Sequence, residues 1–158
     1  MQSDLDAIDL KVLQRLTAAG RLSWADLAAE LDLSAPAAAD RVRRLEQRGV
    51  IRGYTALLDP AAVGAGVTAF IAVRLERPKH RAAFLARVAA LDAVLECHHV
   101  AGDDDYLLKV RLAGLAELEA LVSDDLKSLA GVAGTRTTVA LSTAKETPTP
   151  PLRAARRD

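Results

Sequence analysis

Residues 23–51 read SWADLAAELDLSAPAAADRVRRLEQRGVI, and their spacing decides the architecture of the first third of the chain. Ser23 stands as an N-cap with Asp26 three residues on, after which Trp24, Leu27, Ala28 and Leu31 recur at helical spacing. Asp32 and Leu33 form a brief connector. Ser34 is a second N-cap, and Pro36 falls in the first turn, where a missing N–H costs little. The helix opened there runs to Arg48 and stops at Gly49. Upstream, residues 4–19 put Leu5, Ile8, Val12, Leu13 and Leu16 on one helical face, with Asp4 and Asp6 in the first turn favouring the helix dipole and Gly20 as terminator. Three helices with short connectors, the last two a tight pair, describe a helix-turn-helix whose core is Ala28, Leu31, Ala38, Val42 and Leu45.

Beyond Gly49 the pattern changes. Val50, Ile51, Tyr54, Ala56 and Leu58 read as extended chain closed by Asp59-Pro60, and Ala61–Gly66 reads as a hinge. Val67, Ala69, Ile71, Val73 and Leu75 have the period of a strand, and residues 78–91 are helical. Strands over 94–100 and 106–112 are joined by Ala-Gly-Asp-Asp-Asp, a hairpin turn by composition. Leu115, Leu118, Val122, Leu126 and Leu129 make a second helix, and residues 135–143 a last strand. The expected fold class is therefore α+β: a helix-turn-helix domain over 1–58, a linker over 59–66, a ferredoxin-like βαββαβ domain over 67–144 and a flexible tail over 145–158. Both helices of such a sheet lie on one side. The other side still carries Phe70, Ala72 and Leu107, which implies burial against another subunit and at least a homodimer.

The 158 residues carry 21 basic and 21 acidic groups, so bulk polycation binding to nucleic acid or to an anionic membrane is excluded. Aromatic residues are 3% of the chain, too few for base-stacking platforms. The single cysteine, Cys97, excludes an internal disulfide framework and fits a reducing, cytoplasmic setting. No apolar run is long enough to span a membrane, and the start, MQSDLDAIDL, lacks a secretory signal.

Neutrality hides a local bias. Between Ser34 and Arg52, Arg41, Arg43, Arg44, Arg48 and Arg52 face only Asp40 and Glu46. Arg41, Arg44 and Arg48 share a stripe beside the Val42 and Leu45 core stripe, placed to neutralise phosphates along a major groove. Ala35–Ala39 carry little but methyl groups, which touch thymine methyls but cannot hydrogen-bond to bases, so readout falls to Asp40, Arg41, Arg44 and DNA shape. The expected contact set for double-stranded DNA is Ser23, Ser34, Ala35, Ala37, Asp40, Arg41, Arg44 and Arg48. Trp24 lies nearby, although a Trp opening an amphipathic helix is more commonly a packing residue.

Leu5-Asp6, Asp9, Val12-Leu13, Leu16, Arg21, Leu27-Ala28, Leu33-Ser34, Arg41-Val42, Leu45, Gly49-Val50-Ile51 and Gly53-Tyr54 together resemble the Lrp/AsnC family of transcription regulators. The second half resembles the family's effector-sensing domain at Glu96-Cys97, the run Val100–Val110, Gly131-Val132 and Thr135-Arg136-Thr137. The resemblance implies a sequence-specific regulator with a winged or simple helix-turn-helix, pairing through its ferredoxin-like domains and often building octamers. It also implies that an amino acid or related metabolite binds between subunits beside the 102–105 loop.

On that resemblance the effector residues are Gly102, Asp103, Asp104, Asp105, Thr135 and Thr137. Carboxylates of the loop are suited to an ammonium group. Asp104 stands where relatives carry a non-acidic residue, and the extra charge points to a cationic effector such as lysine or arginine. The loop lacks the ligand pattern of an EF-hand, and Cys97, His98 and His99 put only two potential ligands on one strand face, so neither metal nor cofactor is expected. A decarboxylase acting on tetrapyrroles, known among proteins similar to this family, would employ His98 or His99, but the complete helix-turn-helix spacing opposes it. An assembly protein that binds metabolites without recognising DNA is the remaining rival, favoured by the alanine-rich helix.

Overall fold

The computed structural model describes residues 5–152, so Asp4 and the basic end of the tail lie outside the described residues. Two compact units result, one comprising the chain to Ala56 with the stretch from Lys145, the other Leu57–Ala144.

The first unit is built from α1 (Ala7–Ala18), α2 (Trp24–Glu30) and α3 (Ala35–Gln47). Asp6 caps α1 in a reciprocal capping box: the Asp9 N–H donates to Asp6 Oδ1 at 2.7 Å, and the Asp6 N–H points back to Asp9 Oδ2 at 3.4 Å. Ser23 and Ser34 cap α2 and α3 through the Asp26 and Ala37 N–H groups. Gly49, at φ +69°, ends α3 in the left-handed conformation expected of a residue just past a helix end. Val12, Leu27, Ala38, Val42 and Leu45 are fully buried. Leu31, expected in that core, is half-buried and packs against its edge, whereas Leu27 is fully buried within it. Residues 52–58 are exposed, without regular secondary structure and unpaired with any strand, so among the described residues no β-wing follows α3. The Tyr54 hydroxyl donates to Glu46 Oε1 at 2.8 Å, tying this segment back to α3. Desolvation and that carboxylate push its pKa up to about 12.

The second unit begins with hydrogen-bonded turns, Ala65 N–H to Pro60 O at 2.7 Å among them, where a hinge is expected. The order is then β1 (Val67–Leu75), a 3-10 turn (Pro78–His80), α4 (Arg81–Ala89), β2 (Val94–His99), β3 (Tyr106–Leu112), α5 (Leu115–Ala120) and β4 (Val132–Val139). The antiparallel sheet runs β2-β3-β1-β4, the split βαβ topology. Ala69, Ile71, Val73, Leu108 and Val110 face the helices and meet Phe84, Val88, Leu118, Leu121 and Leu126. No helix of this unit covers the other face, where Phe70 is 38% exposed.

Two details differ from the sequence expectation. Helix α5 passes into a π-helical turn over Leu121–Leu126, so that these two leucines, five apart, are both buried while Leu115 is exposed. Strand β4 spans Val132–Val139 rather than 135–143, and at its start an irregularity between Arg74 and Leu75 brings Val132 into register with Leu75. Tyr106 is buried against Phe84, its ring centroid 4.9 Å away, and its hydroxyl has no hydrogen-bond partner. Tyr106→Phe removes a desolvated hydroxyl and should stabilise the protein by about 1 kcal/mol, read as a higher midpoint in thermal unfolding. A lower midpoint would mean that the hydroxyl is bonded in solution.

Candidate functional site

Helix α3 divides its charged side chains between two directions. Asp40 accepts from Arg44 through Nε at 2.8 Å and again through Nη2, and lies 3.4 Å from Arg43 Nη1. The Arg44 hydrogen bonds hold the Asp40 carboxyl below the usual range. Arg43 and Arg44 are well exposed, at 62% and 67% of their side chains, and project an arginine pair braced by one carboxylate.

Arg41 goes the other way. Its Nη1 reaches Asp6 Oδ2 at 2.5 Å and Asp9 Oδ1 at 2.8 Å, and only 27% of the side chain is exposed. Arg48 lies 3.7 Å from the same Asp9. The stripe of Arg41, Arg44 and Arg48 expected along one groove-facing side is therefore split: α1 supplies internal partners for Arg41 and Arg48, and Arg43 joins Arg44 instead. The Asp9 N–H, and after it Arg41, depress the Asp6 carboxyl, while the two aspartates raise Arg41. Asp6 and Asp9 are the residues that sequence reasoning missed. Their signal is present in the three-residue spacing of the capping box, which sets two acidic side chains at the start of α1. Ser23, Ser34, Ala35 and Ala37 lie at the starts of α2 and α3, with both serine hydroxyls engaged as caps. Trp24 is 48% exposed, so packing accounts for only part of its surface.

At one end of the second unit's sheet, the 101–105 loop turns through Gly102 at φ +142°. Asp105 is built into the strand end: its N–H donates to Val73 O at 2.9 Å, and its Oδ2 accepts from the Leu75 N–H at 2.7 Å. Asp104 is matched by Arg136, Nη2 to Oδ2 at 2.6 Å, and its side chain is 19% exposed. The surplus negative charge on which a cationic effector was expected is thus already neutralised. Asp103 is exposed. Thr135 and Tyr106 pair with Val73 from opposite sides, so the loop and Thr135 share one end of the sheet, about 10 Å apart across β1, with Thr137 one step further along.

Residues 68–150 match the family described as Lrp/AsnC ligand binding domain, and residues 5–52 match a winged helix-turn-helix DNA-binding family. The chain belongs to the Lrp/AsnC family. It is a DNA-binding transcription regulator of that family, with the α+β fold expected of its members. Among its relatives, the leucine-responsive regulatory protein of Haemophilus influenzae is 43% identical over 145 residues, 90% of this chain and 87% of that protein. The Bkd operon transcriptional regulator of Pseudomonas aeruginosa is 38% identical over 95% of this chain and 99% of its own. A transcriptional regulator from Neisseria meningitidis, solved with L-methionine, superposes with a TM-score of 0.89 at 34% identity, over 93% of this chain and 96% of the other. The feast or famine regulatory protein from Mycobacterium tuberculosis, also solved with L-methionine, gives 0.84 at 38% identity, over 92% and 97%.

Elsewhere in this Lrp/AsnC chain, Cys97 is half-buried in the sheet core, and burial pushes its thiol up. His98 pairs with Glu96 at 3.0 Å on the opposite strand face, and Glu96 also holds Lys109 at 3.1 Å. His99 packs on Tyr106 with ring centroids 5.2 Å apart. No cluster of three His, Cys, Asp or Glu among the described residues could hold a metal ion, and no helix among them is long and apolar enough to cross a membrane.

Proposed function

We propose that this regulator contacts double-stranded DNA through the outward side of α3, with Asp40 and Arg44 joined by Arg43, while Ala37 offers a methyl group to thymine, Ala35 packs partly against the helix core, and Ser23 and Ser34 set the helix starts against the backbone. The observation that carries this reading is the braced, solvent-exposed arginine pair on the second helix of a closed helix-turn-helix. The protein works as a homodimer or higher assembly of intracellular copies, held through the helix-free sheet face, and not as an enzyme. The test is binding to DNA across a salt series. Arg44→Ala should lower the slope of log affinity against log salt by about one, the signature of one lost phosphate contact. An unchanged slope would remove Arg44 from the interface.

The effector is an α-amino acid with a neutral side chain, its ammonium group received by the loop at Gly102, Asp103 and Asp105 and its remainder lying toward Thr135 and Thr137. The match between Asp104 and Arg136 supports neutrality over a basic side chain, as do the methionine complexes of two relatives. Binding would shift the population of assemblies that hold DNA. Calorimetry should give saturable heat with L-methionine and none with L-lysine; the reverse result would restore the cationic ligand.

A further inference from the structure

We infer that Arg41 is a positioning residue: by joining Asp6 and Asp9 it locks α3 to the start of α1, and so sets the depth at which the outward side of α3 enters a DNA groove, without touching DNA itself. This rests on the DNA-binding reading of α3 and concerns a residue whose charge alone would have marked it as a contact.

The geometry favours a lock over a contact in three ways. Arg41 meets two carboxylates at once, and one of them, Asp9, belongs to a residue only 7% exposed. A phosphate drawing Arg41 outward would leave that carboxylate buried with a weakened partner, which is unfavourable. The Asp9 N–H also holds the Asp6 carboxylate at 2.7 Å, and the Asp6 N–H approaches Asp9 Oδ2 at 3.4 Å, so both acids are restrained at the start of α1. Finally, any phosphate near the Arg41 guanidinium would stand beside Asp6, a second negative charge. Arg43 and Arg44 have none of these constraints beyond the exposed Asp40. Lys at position 41 would supply the charge but not the planar fork that spans two acceptors.

The contact and the lock predict opposite signs for one substitution. Asp9→Asn keeps the shape and the capping acceptor but removes a negative charge near the interface. If Arg41 is a lock, Asp9→Asn weakens binding roughly tenfold; if Arg41 grips phosphate, it strengthens binding by freeing the arginine and reducing repulsion. The probes are a duplex selected by the wild-type protein from a random-sequence pool and an unselected duplex of equal length, measured by fluorescence anisotropy across salt, with circular dichroism verifying that each variant is folded at the working temperature. The expected result is that Asp9→Asn and Arg41→Met each lower the ratio of selected to unselected affinity, that the double variant is no worse than either single one, that Arg41→Lys does not rescue, and that the salt slope stays at the wild-type value. A slope reduced by about one in Arg41→Met, restored in Arg41→Lys, with binding unharmed in Asp9→Asn, would overturn the inference and make Arg41 a phosphate contact. If Arg41→Met fails to fold, Asp9→Asn and Arg41→Lys still separate the two outcomes. Failure of the wild-type protein to prefer the selected duplex at any salt would instead overturn the DNA reading of α3, and this inference with it.

Discussion

Leu45→Ala should unfold the first unit and abolish DNA binding while the second unit keeps its native signal. Leu45 is fully buried at the point where α1, α2 and α3 meet, and its carbonyl accepts the Val50 and Ile51 N–H groups at 2.9 and 3.2 Å, closing the end of α3. Large-to-small truncation at such a site costs about 3–5 kcal/mol, the lost transfer energy plus a cavity that the neighbours only partly fill. A unit of roughly this size buries a smaller fraction of its unfolded surface than a larger domain does and has only a few kcal/mol to lose. The measurement is a thermal or urea transition followed by Trp24 fluorescence, which reports the first unit alone, beside far-ultraviolet circular dichroism, which reports both. Two separated transitions are expected in the variant. A single transition shifted by less than about 1 kcal/mol would mean that α3 repacks around the loss.

Gly131→Ala should damage the second unit comparably. Gly131 has φ +90°, and a Cβ built there would stand 2.0 Å from His80 Cγ, inside the imidazole. Backbone strain of about 1–3 kcal/mol adds to an overpacking cost of about 1–3 kcal/mol. Nor can the glycine drift away, because its carbonyl accepts the Glu76 N–H at 2.8 Å where β1 leaves the sheet. The double variant His80→Ala, Gly131→Ala should recover the steric share but not the backbone share, a non-additivity read from urea midpoints. Equal losses in the single and double variants would show that His80 swings aside freely. Since Gly131 leads directly into β4, loss of amino-acid binding should accompany the loss of stability.

Elements ended by local chemistry were legible from the residues alone. Ser34 and Gly49 bound α3 to within a residue, and the alternation of Tyr106, Leu108, Val110 and Leu112 delimits β3. Where partners lie far apart in sequence, the residues said less. Arg41 has the same charge and nearly the same helical face as Arg44, and only folding reveals acids 32 and 35 positions upstream. From the residues alone Asp104 is surplus charge, because Arg136 comes within reach only when β4 joins the sheet beside β1. The π-helical turn escaped periodicity for another reason: a five-residue spacing between Leu121 and Leu126 fits neither a regular helix nor a strand. The same holds for the missing wing, since the alternation of Tyr54, Ala56 and Leu58 gives an extended chain but no strand to pair with it.

The division of α3 bears on how such a regulator changes over generations. Val42 and Leu45 hold the helix in the core, Arg41 ties it to α1, and Asp40, Arg43 and Arg44 are turned outward with little stake in folding. On the proposed reading of α3, mutation on the outward side would retarget the protein to new promoters at almost no thermodynamic cost, whereas mutation on the inward side would be purged before any new target is sampled. A duplicated copy of this gene would start its divergence with three nearly free positions.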